Sequence, residues 1–472
     1  MTRTRTFALS SLLLLTTACG GSIGGKGALA PEKDSGLKSA GGTAVSKAAK
    51  ADYDKALGEF VAHDKNQNWD DSSCKSVAGQ FEDASEQQES DTGKALPEAL
   101  YNAGLSFMRC GMDKEAISHY EAARKAGSNF HRARAQMVLF EFKKNKDLSG
   151  TISKLEQIIR DAKFQNVEAL VSVAALQMER SGTERTSDGK NDLERAKKNI
   201  QRSLAIDDNF MPAFNQLAVY YMEQAKAKSG ISRKHRRRGL AVAGAKRAKV
   251  NMQQLELAAL VASQAIRKNA KYAPIHNTAG LIQVEMKKYN GAVKSFGKAR
   301  RLDPKFFEAH MNYGAVNLTF RGFKEAEKAY RDAIKLSPND YEAHLGLALA
   351  IRGQINDGNF TQFVAEAQKH LDECRRIAPE RPEAYYNEAI LTQEYKAKSG
   401  NEDQSVPMLK KAASIYRTFI QKASGDSVFA EAVKRSEDRS EDITDTVQFI
   451  EDGIQMRKQS EEIQKKQKAS KK

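Results

Sequence analysis

Two consecutive stretches, APIHNTAGLIQVEMKKYNGAVKSFGKARRLDPKF (273–306) and FEAHMNYGAVNLTFRGFKEAEKAYRDAIKLSPND (307–340), decide the fold. Laid one over the other, they pair Gly280 with Gly314, Tyr289 with Phe323, Ala292 with Ala326, Phe296 with Tyr330, Ala299 with Ala333 and Pro304 with Pro338, each 34 residues apart. A fixed period of this length marks a stacked supersecondary unit. Each recurring residue has a physical task. Gly280 and Gly314 fall midway along a first helix, and Ala292 and Ala326 early in a second, where small side chains let the two helices approach closely. Phe296 and Tyr330 fill the space between neighbouring hairpins. Pro304 and Pro338, which lack an amide donor, stop the second helix. One such unit cannot bury its own apolar face, so copies must stack.

These residues and their period resemble the tetratricopeptide repeat, which implies an all-α, right-handed superhelical solenoid of helix hairpins. Weaker copies flank the two clear ones. Gly104, Ala116, Tyr120 and Ala123 mark a unit over 97–130. Ala348, Ala367, Leu371, Cys374 and Pro379 mark another, as do Ala389, Ala412, Tyr416 and Phe419. Ala174, Ala196 and Ile200 mark one more, and Ala218, Ala258, Ala262 and Ala265 a further one. Apolar periodicity alone adds helix pairs at 49–87 and 131–163. The expectation is about eight or nine units over 49–425. From mid-first-helix to early-second-helix takes 12 residues in the regular copies, but 22 from Ala174 to Ala196, 40 from Ala218 to Ala258, 19 from Ala348 to Ala367 and 23 from Ala389 to Ala412. Gly182–Lys190 and Ser399–Ser405 read as polar loops at these stretched turns. After Gly425 the pattern changes: Ile443, Val447, Ile450 and Ile454 form a narrow helical stripe, fit to cap the last repeat or to bind a partner helix. The final KQSEEIQKKQKASKK (458–472) is polar and expected to be disordered. Residues 426–472 are thus expected to be a C-terminal helix followed by a charged tail.

The 472-residue chain has 7% aromatic residues, one tryptophan (Trp69) and 9 prolines, a composition that favours helices. Its start, MTRTRTFALSSLLLLTTAC, joins Arg3 and Arg5 to a short apolar run. That run is too short to span a bilayer, so residues 1–18 read as an export signal. Thr17-Ala18-Cys19 resembles a bacterial lipobox, although Thr16 stands where leucine is usual. The resemblance implies that Cys19 is acylated and becomes the mature amino terminus. Gly20, in place of an aspartate, implies the outer membrane. Residues 19–48 are rich in Gly and Ser and read as a flexible tether. Gly20–Lys26 nearly spells a phosphate loop, but Gly27 stands where Ser or Thr should hold a metal, and no strand precedes it.

Chemistry-bearing constellations are sparse. With Cys19 assigned to lipid, Cys74, Cys110 and Cys374 remain. Cys74 lies near the start of the second helix of the first pair, and Cys110 near the end of the next helix. Successive helices run antiparallel, so these ends come together and a Cys74–Cys110 disulfide is expected. Cys374 occupies a small-residue packing position and reads as inert core. The eight histidines are scattered, and no HExxH or GxSxG is present. No enzyme activity, metal, cofactor or small-molecule substrate is expected. The net charge is +16, and the largest basic run, Arg233, Lys234, His235, Arg236, Arg237 and Arg238, sits in the longest insertion. It reads either as a solvated helix extension or as a patch for an anionic surface such as lipid or glycan. Nucleic acid is a poor partner for an exported protein.

Tetratricopeptide superhelices are known for holding partners on the concave face of their first helices. By that resemblance the lining here is Tyr101, Asn102, Leu105 and Arg109, then Asn277 and Leu281, then Met311, Asn312 and Leu318, then Leu345 and Leu349, and then Tyr386, Asn387 and Ile390. Apolar and aromatic with amides, it suits an apolar or helical peptide; the same residues read equally well as packing. The layout of lipobox, Gly-rich tether, CysLysSerValAla (74–78), AlaLeuTyrAsnAlaGlyLeu (99–105), ArgCysGly (109–111) and stretched repeats resembles the repeat lipoproteins of myxobacterial adventurous gliding motility. That resemblance implies a structural part of a trans-envelope machine, docking other envelope proteins from the periplasmic face of the outer membrane. The rival readings are an outer-membrane or peptidoglycan assembly factor, and a binder of anionic lipid or glycan through the basic insertion.

Overall fold

The computed structural model describes residues 30–32, 35–39, 42–66, 68–128, 130–182, 190–227, 250–398 and 402–469. The expected export signal, Cys19 and the basic residues Arg233, Lys234, Arg236, Arg237 and Arg238 lie outside the described residues. Nineteen helices are described: α1 Lys47–Asn66, α2 Asp71–Thr92, α3 Pro97–Arg109, α4 Asp113–Ala126, α5 His131–Asn145, α6 Leu148–Asp161, α7 Val167–Arg180, α8 Asp192–Ile206, α9 Met211–Ala227, α10 Met252–Lys268, α11 Ala273–Glu285, α12 Tyr289–Leu302, α13 Phe307–Thr319, α14 Phe323–Leu336, α15 Tyr341–Arg352, α16 Phe360–Ile377, α17 Pro382–Leu391, α18 Glu402–Ala423 and α19 Ala430–Ala469. Taken in order, α1 to α8 and α11 to α18 pair into antiparallel hairpins, α9 and α10 share one core, and α19 follows the last. The fold is all-α and of the tetratricopeptide type. One compact unit comprises the described residues up to 226 together with 250–304, and a second holds the described residues from 305 onward.

Local chemistry sets the helix limits. Pro97 and Pro382 open α3 and α17 at first-turn positions, where a missing amide costs nothing. Asn191 and Asp340 cap α8 and α15 through their side chains. Pro304 and Pro338 lie two residues beyond α12 and α14, as the repeat pattern requires. The tight turns inside the two regular hairpins are made by Lys287 and Arg321, both at φ 60° and 34 residues apart. Gly111 takes the corresponding conformation between α3 and α4 at φ 73°.

Packing follows the small–aromatic logic of the repeat. In the first unit the ring of Phe296 lies against Gly280, so that a Cβ there would come within 2.6 Å of it. In the second unit Tyr330 touches Gly314 of its own hairpin and Gly346 of the next. Tyr120 stands in the same relation to Gly104. Cys74 and Cys110 are disulfide-bonded, with Cα atoms 6.4 Å apart, joining the first hairpin to the second. Cys374 is a buried free thiol whose pKa burial pushes far up, as expected of inert core.

Three expectations differ from the structure. Part of the expected tether, residues 19–48, has regular structure. Ala30–Glu32 and Ser35–Lys38 form a two-stranded antiparallel hairpin, and α1 begins at Lys47. The buried Gln88 holds the segment down, donating to the Ala44 carbonyl at 2.8 Å and accepting from the Ser46 amide at 2.9 Å. Ser405, assigned to a polar loop, lies inside α18, and its hydroxyl donates to the Ala397 carbonyl at 2.6 Å. The expected disordered tail is helical from Lys458 to Ala469, because α19 continues unbroken and its Glu, Gln, Lys and Arg are good helix formers.

Candidate partner-binding face

Within each unit the first helices of successive hairpins lie side by side, and this row is where the sequence places a partner groove. In the first unit the row is joined by polar side chains. Arg109 donates from Nε and Nη2 to the Asp64 carboxylate at 2.8 and 2.9 Å, and Trp69 Nε1 donates to Asp64 Oδ1 at 2.7 Å. The Arg109 and Asp64 side chains are only 3% and 6% exposed, and the guanidinium lies 5.1 Å from the centre of the Phe60 ring. Asn102 Nδ2 donates to the Tyr53 hydroxyl at 2.8 Å. Tyr101 donates its hydroxyl proton to Glu168 Oε2 at 2.5 Å, accepts from Gln136 Nε2 at 3.3 Å, and carries the Arg132 guanidinium 4.5 Å above its ring. Arg132 closes this set by bonding Glu168 at 2.5 Å.

Burial works against charge on Glu168, but Arg132 more than offsets it and holds the carboxyl below its usual range. Burial likewise opposes charge on Arg132, yet Glu168 keeps it firmly protonated. The Tyr101 hydroxyl is pushed well up by burial and by the Glu168 charge, so it remains a donor. The set is therefore a fixed ion pair with a bound phenol, in which each charged group is held in one state. That is the chemistry of a strut; a proton-transfer site needs a group able to change state near neutral pH.

The second unit repeats the theme with other residues. Arg381 bonds Glu342 at 2.7 Å and Glu383 at 2.8 Å, and stacks 3.7 Å from the centre of the Tyr341 ring. Tyr341 accepts the Ala384 amide at 3.1 Å. Arg352 Nη1 donates to Asn387 Oδ1 at 3.1 Å. His344 and His370 face each other Nδ1 to Nδ1 at 2.9 Å, and His344 Nε2 donates to the Pro338 carbonyl at 3.0 Å. The His344 Nδ1 is thereby the acceptor, and His370 supplies the proton between the rings.

The expected lining residues divide by burial into two groups. Tyr101, Asn102, Leu105, Asn277, Met311, Leu345 and Asn387 are buried, as is the side chain of Arg109. They pack or brace the row and do not line open space. Leu281, Asn312, Leu318, Leu349, Tyr386 and Ile390 are half-buried, so part of each is still presented to solvent. Tyr386 and Ile390 share a core with Ile443 and Val447 of α19, so the stripe on that helix caps the last hairpin, one of its two expected uses. The polar partners Asp64, Arg132, Glu168, Arg352 and Arg381 were not read from the sequence. Their signal is spacing: Arg132 and Glu168 are 36 residues apart, and Arg352 and Asn387 are 35 apart, close to one repeat.

This geometry defines a helical-repeat protein of the tetratricopeptide type. No protein-family model matches the chain, and no curated protein matches it. Among solved structures, a thermophilic tetratricopeptide protein of Thermus thermophilus is similar at 19% identity and TM-score 0.37, over 47% of this chain and 99% of that one. PilF of Pseudomonas aeruginosa is similar at 15% identity and TM-score 0.39, over 57% of this chain and 97% of that one. A tetratricopeptide repeat protein from Parabacteroides merdae is similar at 14% identity and TM-score 0.35, over 66% of this chain and 99% of that one.

Proposed function

We propose that this chain is a non-enzymatic scaffold, tethered through lipid on Cys19 to the periplasmic face of the outer membrane, that docks other envelope proteins on its hairpin stack. The observation that carries the reading is the way polar groups are used on the first-helix row. Asp64, Arg109, Arg132, Glu168 and Arg381 are spent on bracing neighbouring hairpins, while in the second unit Leu318, Leu349 and Ile390 keep apolar surface partly open, as Leu281 does within the first. Such a surface holds a partner by burial, at about 25 cal/mol per Å² of apolar area. The Cys74–Cys110 bond supports an oxidising compartment. A structural role in a gliding-motility machine is the narrower form of this reading and rests on the sequence resemblance alone.

The test has two parts. Metabolic labelling with an alkyne fatty acid should mark the wild-type chain in the membrane fraction, and Cys19→Ser should lose both label and membrane. A photo-cross-linking residue at Leu318 or Leu349, activated in intact cells, should trap the same few envelope proteins. A chain without label, or cross-links no different from those of an exposed control position such as Lys335, would refute the proposal.

A further inference from the structure

Arg352, the last residue of α15, differs from the other arginines of the first-helix row. Arg109, Arg132 and Arg381 each bond a carboxylate, whereas Arg352 bonds none among the described residues. Its hydrogen bonds run from Nη1 alone, to the Asn387 side-chain oxygen at 3.1 Å and the Asn387 main-chain carbonyl at 3.4 Å. Nε and Nη2 donate to no protein atom among the described residues. The side chain is half-buried. A guanidinium cannot shed its charge, and a desolvated charge without a counter-charge is costly. Burial, and then the neighbouring Arg439, work against the charge on Arg352.

Three phenols, those of Tyr395, Tyr386 and Tyr416, lie within electrostatic reach of this guanidinium. Tyr416 is already engaged, donating to Gln393 Oε1 at 2.9 Å and accepting from Arg439 at 3.4 Å. Tyr386 and Tyr395 are half-buried, and their hydroxyls have no hydrogen-bond partner among the described residues, yet neither is sealed from solvent. Tyr395 is carried by the π-helical turn Thr392–Lys396 that continues α17, a rare element found often at functional sites. The charge of Arg439 is met by Glu394 at 2.9 Å, so the charge left without a partner is that of Arg352. What the cluster offers is therefore the free edge of a guanidinium and two phenol donors, with one positive charge to satisfy. A carboxylate carries one negative charge and accepts from a guanidinium fork. Leu349 lies three residues before Arg352, on the same side of α15, and is half-open. Leu318 on α13 and Ile390 on α17 continue the half-open apolar surface to either side. A peptide lying on these residues passes across α15, so the group it presents to Arg352 is a side chain. We propose that Arg352, Tyr386 and Tyr395 form a carboxylate-reading subsite of the partner-binding row. It takes an aspartate or glutamate side chain of a docked peptide, while an apolar side chain about one turn away rests on Leu349. The subsite rests on the docking function proposed above and adds the chemistry of the partner.

Random dodecapeptides displayed on phage, fused at their carboxy ends so that no terminal carboxylate is free, are selected on the full chain carrying Cys19→Ser. The enriched peptides should share an aspartate or glutamate close to an apolar residue. One of them, synthesised with an amidated terminus, should bind Arg352→Gln about tenfold more weakly. Replacing its acid by the amide should weaken binding to the parent chain by about the same factor, and the two losses should not add. Tyr386→Phe and Tyr395→Phe should each weaken it several-fold. Glutamine can keep the bond to Asn387 and the lost charge had no partner, so Arg352→Gln should unfold in urea no earlier than the parent. The proposal is overturned by enriched peptides that lack an acid, by an acid preference that survives Arg352→Gln, by binding that requires a free terminal carboxylate, or by earlier unfolding of Arg352→Gln. Failure to enrich any peptide would remove the docking row itself, and the subsite with it.

Discussion

The contact between Tyr330 and Gly346 allows a change of sign to be predicted. Glycine in a helix interior is ordinarily a liability, and replacing it with alanine stabilises by about 1 kcal/mol. At Gly346, within α15, an added Cβ would overlap the Tyr330 ring, with Cε2 only 2.7 Å away. The ring cannot step aside, because its other face meets Gly314, where a Cβ would stand 2.9–3.1 Å from it. Tyr330 is 4% exposed, so the overlap must be relieved by moving helices. Overpacking of this kind costs up to about 3 kcal/mol. Gly346→Ala should therefore destabilise the second unit by about 2 kcal/mol net. In a Tyr330→Ala background, itself weakened by roughly 3–5 kcal/mol, the obstacle is gone and Gly346→Ala should stabilise by about 1 kcal/mol. The coupling between the two changes is then about 3 kcal/mol. Because stacked repeats need not unfold in one step, amide exchange of Leu347–Ile351 in α15 should accompany urea unfolding. If Gly346→Ala has the same sign in both backgrounds, the account of the ring as a wedge between hairpins is wrong.

Three further outcomes follow from the same structure. Opening the Cys74–Cys110 bond, whose partners are 36 residues apart, should cost about 4 kcal/mol on a loop-entropy estimate; Cys74→Ser with Cys110→Ser should show this as earlier unfolding of the first unit in urea, followed by Trp69 emission. Arg109→Ala should leave the Asp64 carboxylate buried and without its cation at a cost of about 3–5 kcal/mol, and should red-shift the emission of Trp69, which donates to the same carboxylate. His370 is held down to about 4 by burial and by His344, with Glu366 opposing and Arg331 and Lys369 assisting. A folded-state pKa below the unfolded value of about 6.5 means that this group's contribution is complete above that pH and is lost as pH falls towards 4. For a half-buried ring the loss should be about 2 kcal/mol, and His370→Gln should flatten the pH dependence of α16 amide exchange over that window.

The repeat pattern alone specifies the small–aromatic packing within a hairpin and against its neighbour. The 34-residue period, the pairing of Gly280 with Phe296 and Gly314 with Tyr330, and the stops at Pro304 and Pro338 are local rules, and they dictate an all-α repeat fold. The Cys74–Cys110 bond was legible for the same reason, since antiparallel order alone brings those two helix ends together. The Ile443, Val447, Ile450 and Ile454 stripe was visible as a helical pattern, but whether it capped its own stack or awaited a partner was not. Which first-helix residues are open follows from how the hairpins pack together. Tyr101, Asn102, Leu105 and Arg109 hold the positions that the repeat pattern assigns to a groove, yet neighbouring first helices and the struts Tyr101–Glu168 and Arg109–Asp64 close over them. Tyr101 and Glu168 are 67 residues apart, nearly two repeats, so no single-unit pattern could join them. Periodicity encodes which face of a helix turns inward. Exposure depends on how tightly successive hairpins close, and that is set by the summed packing of many side chains and not by any one of them.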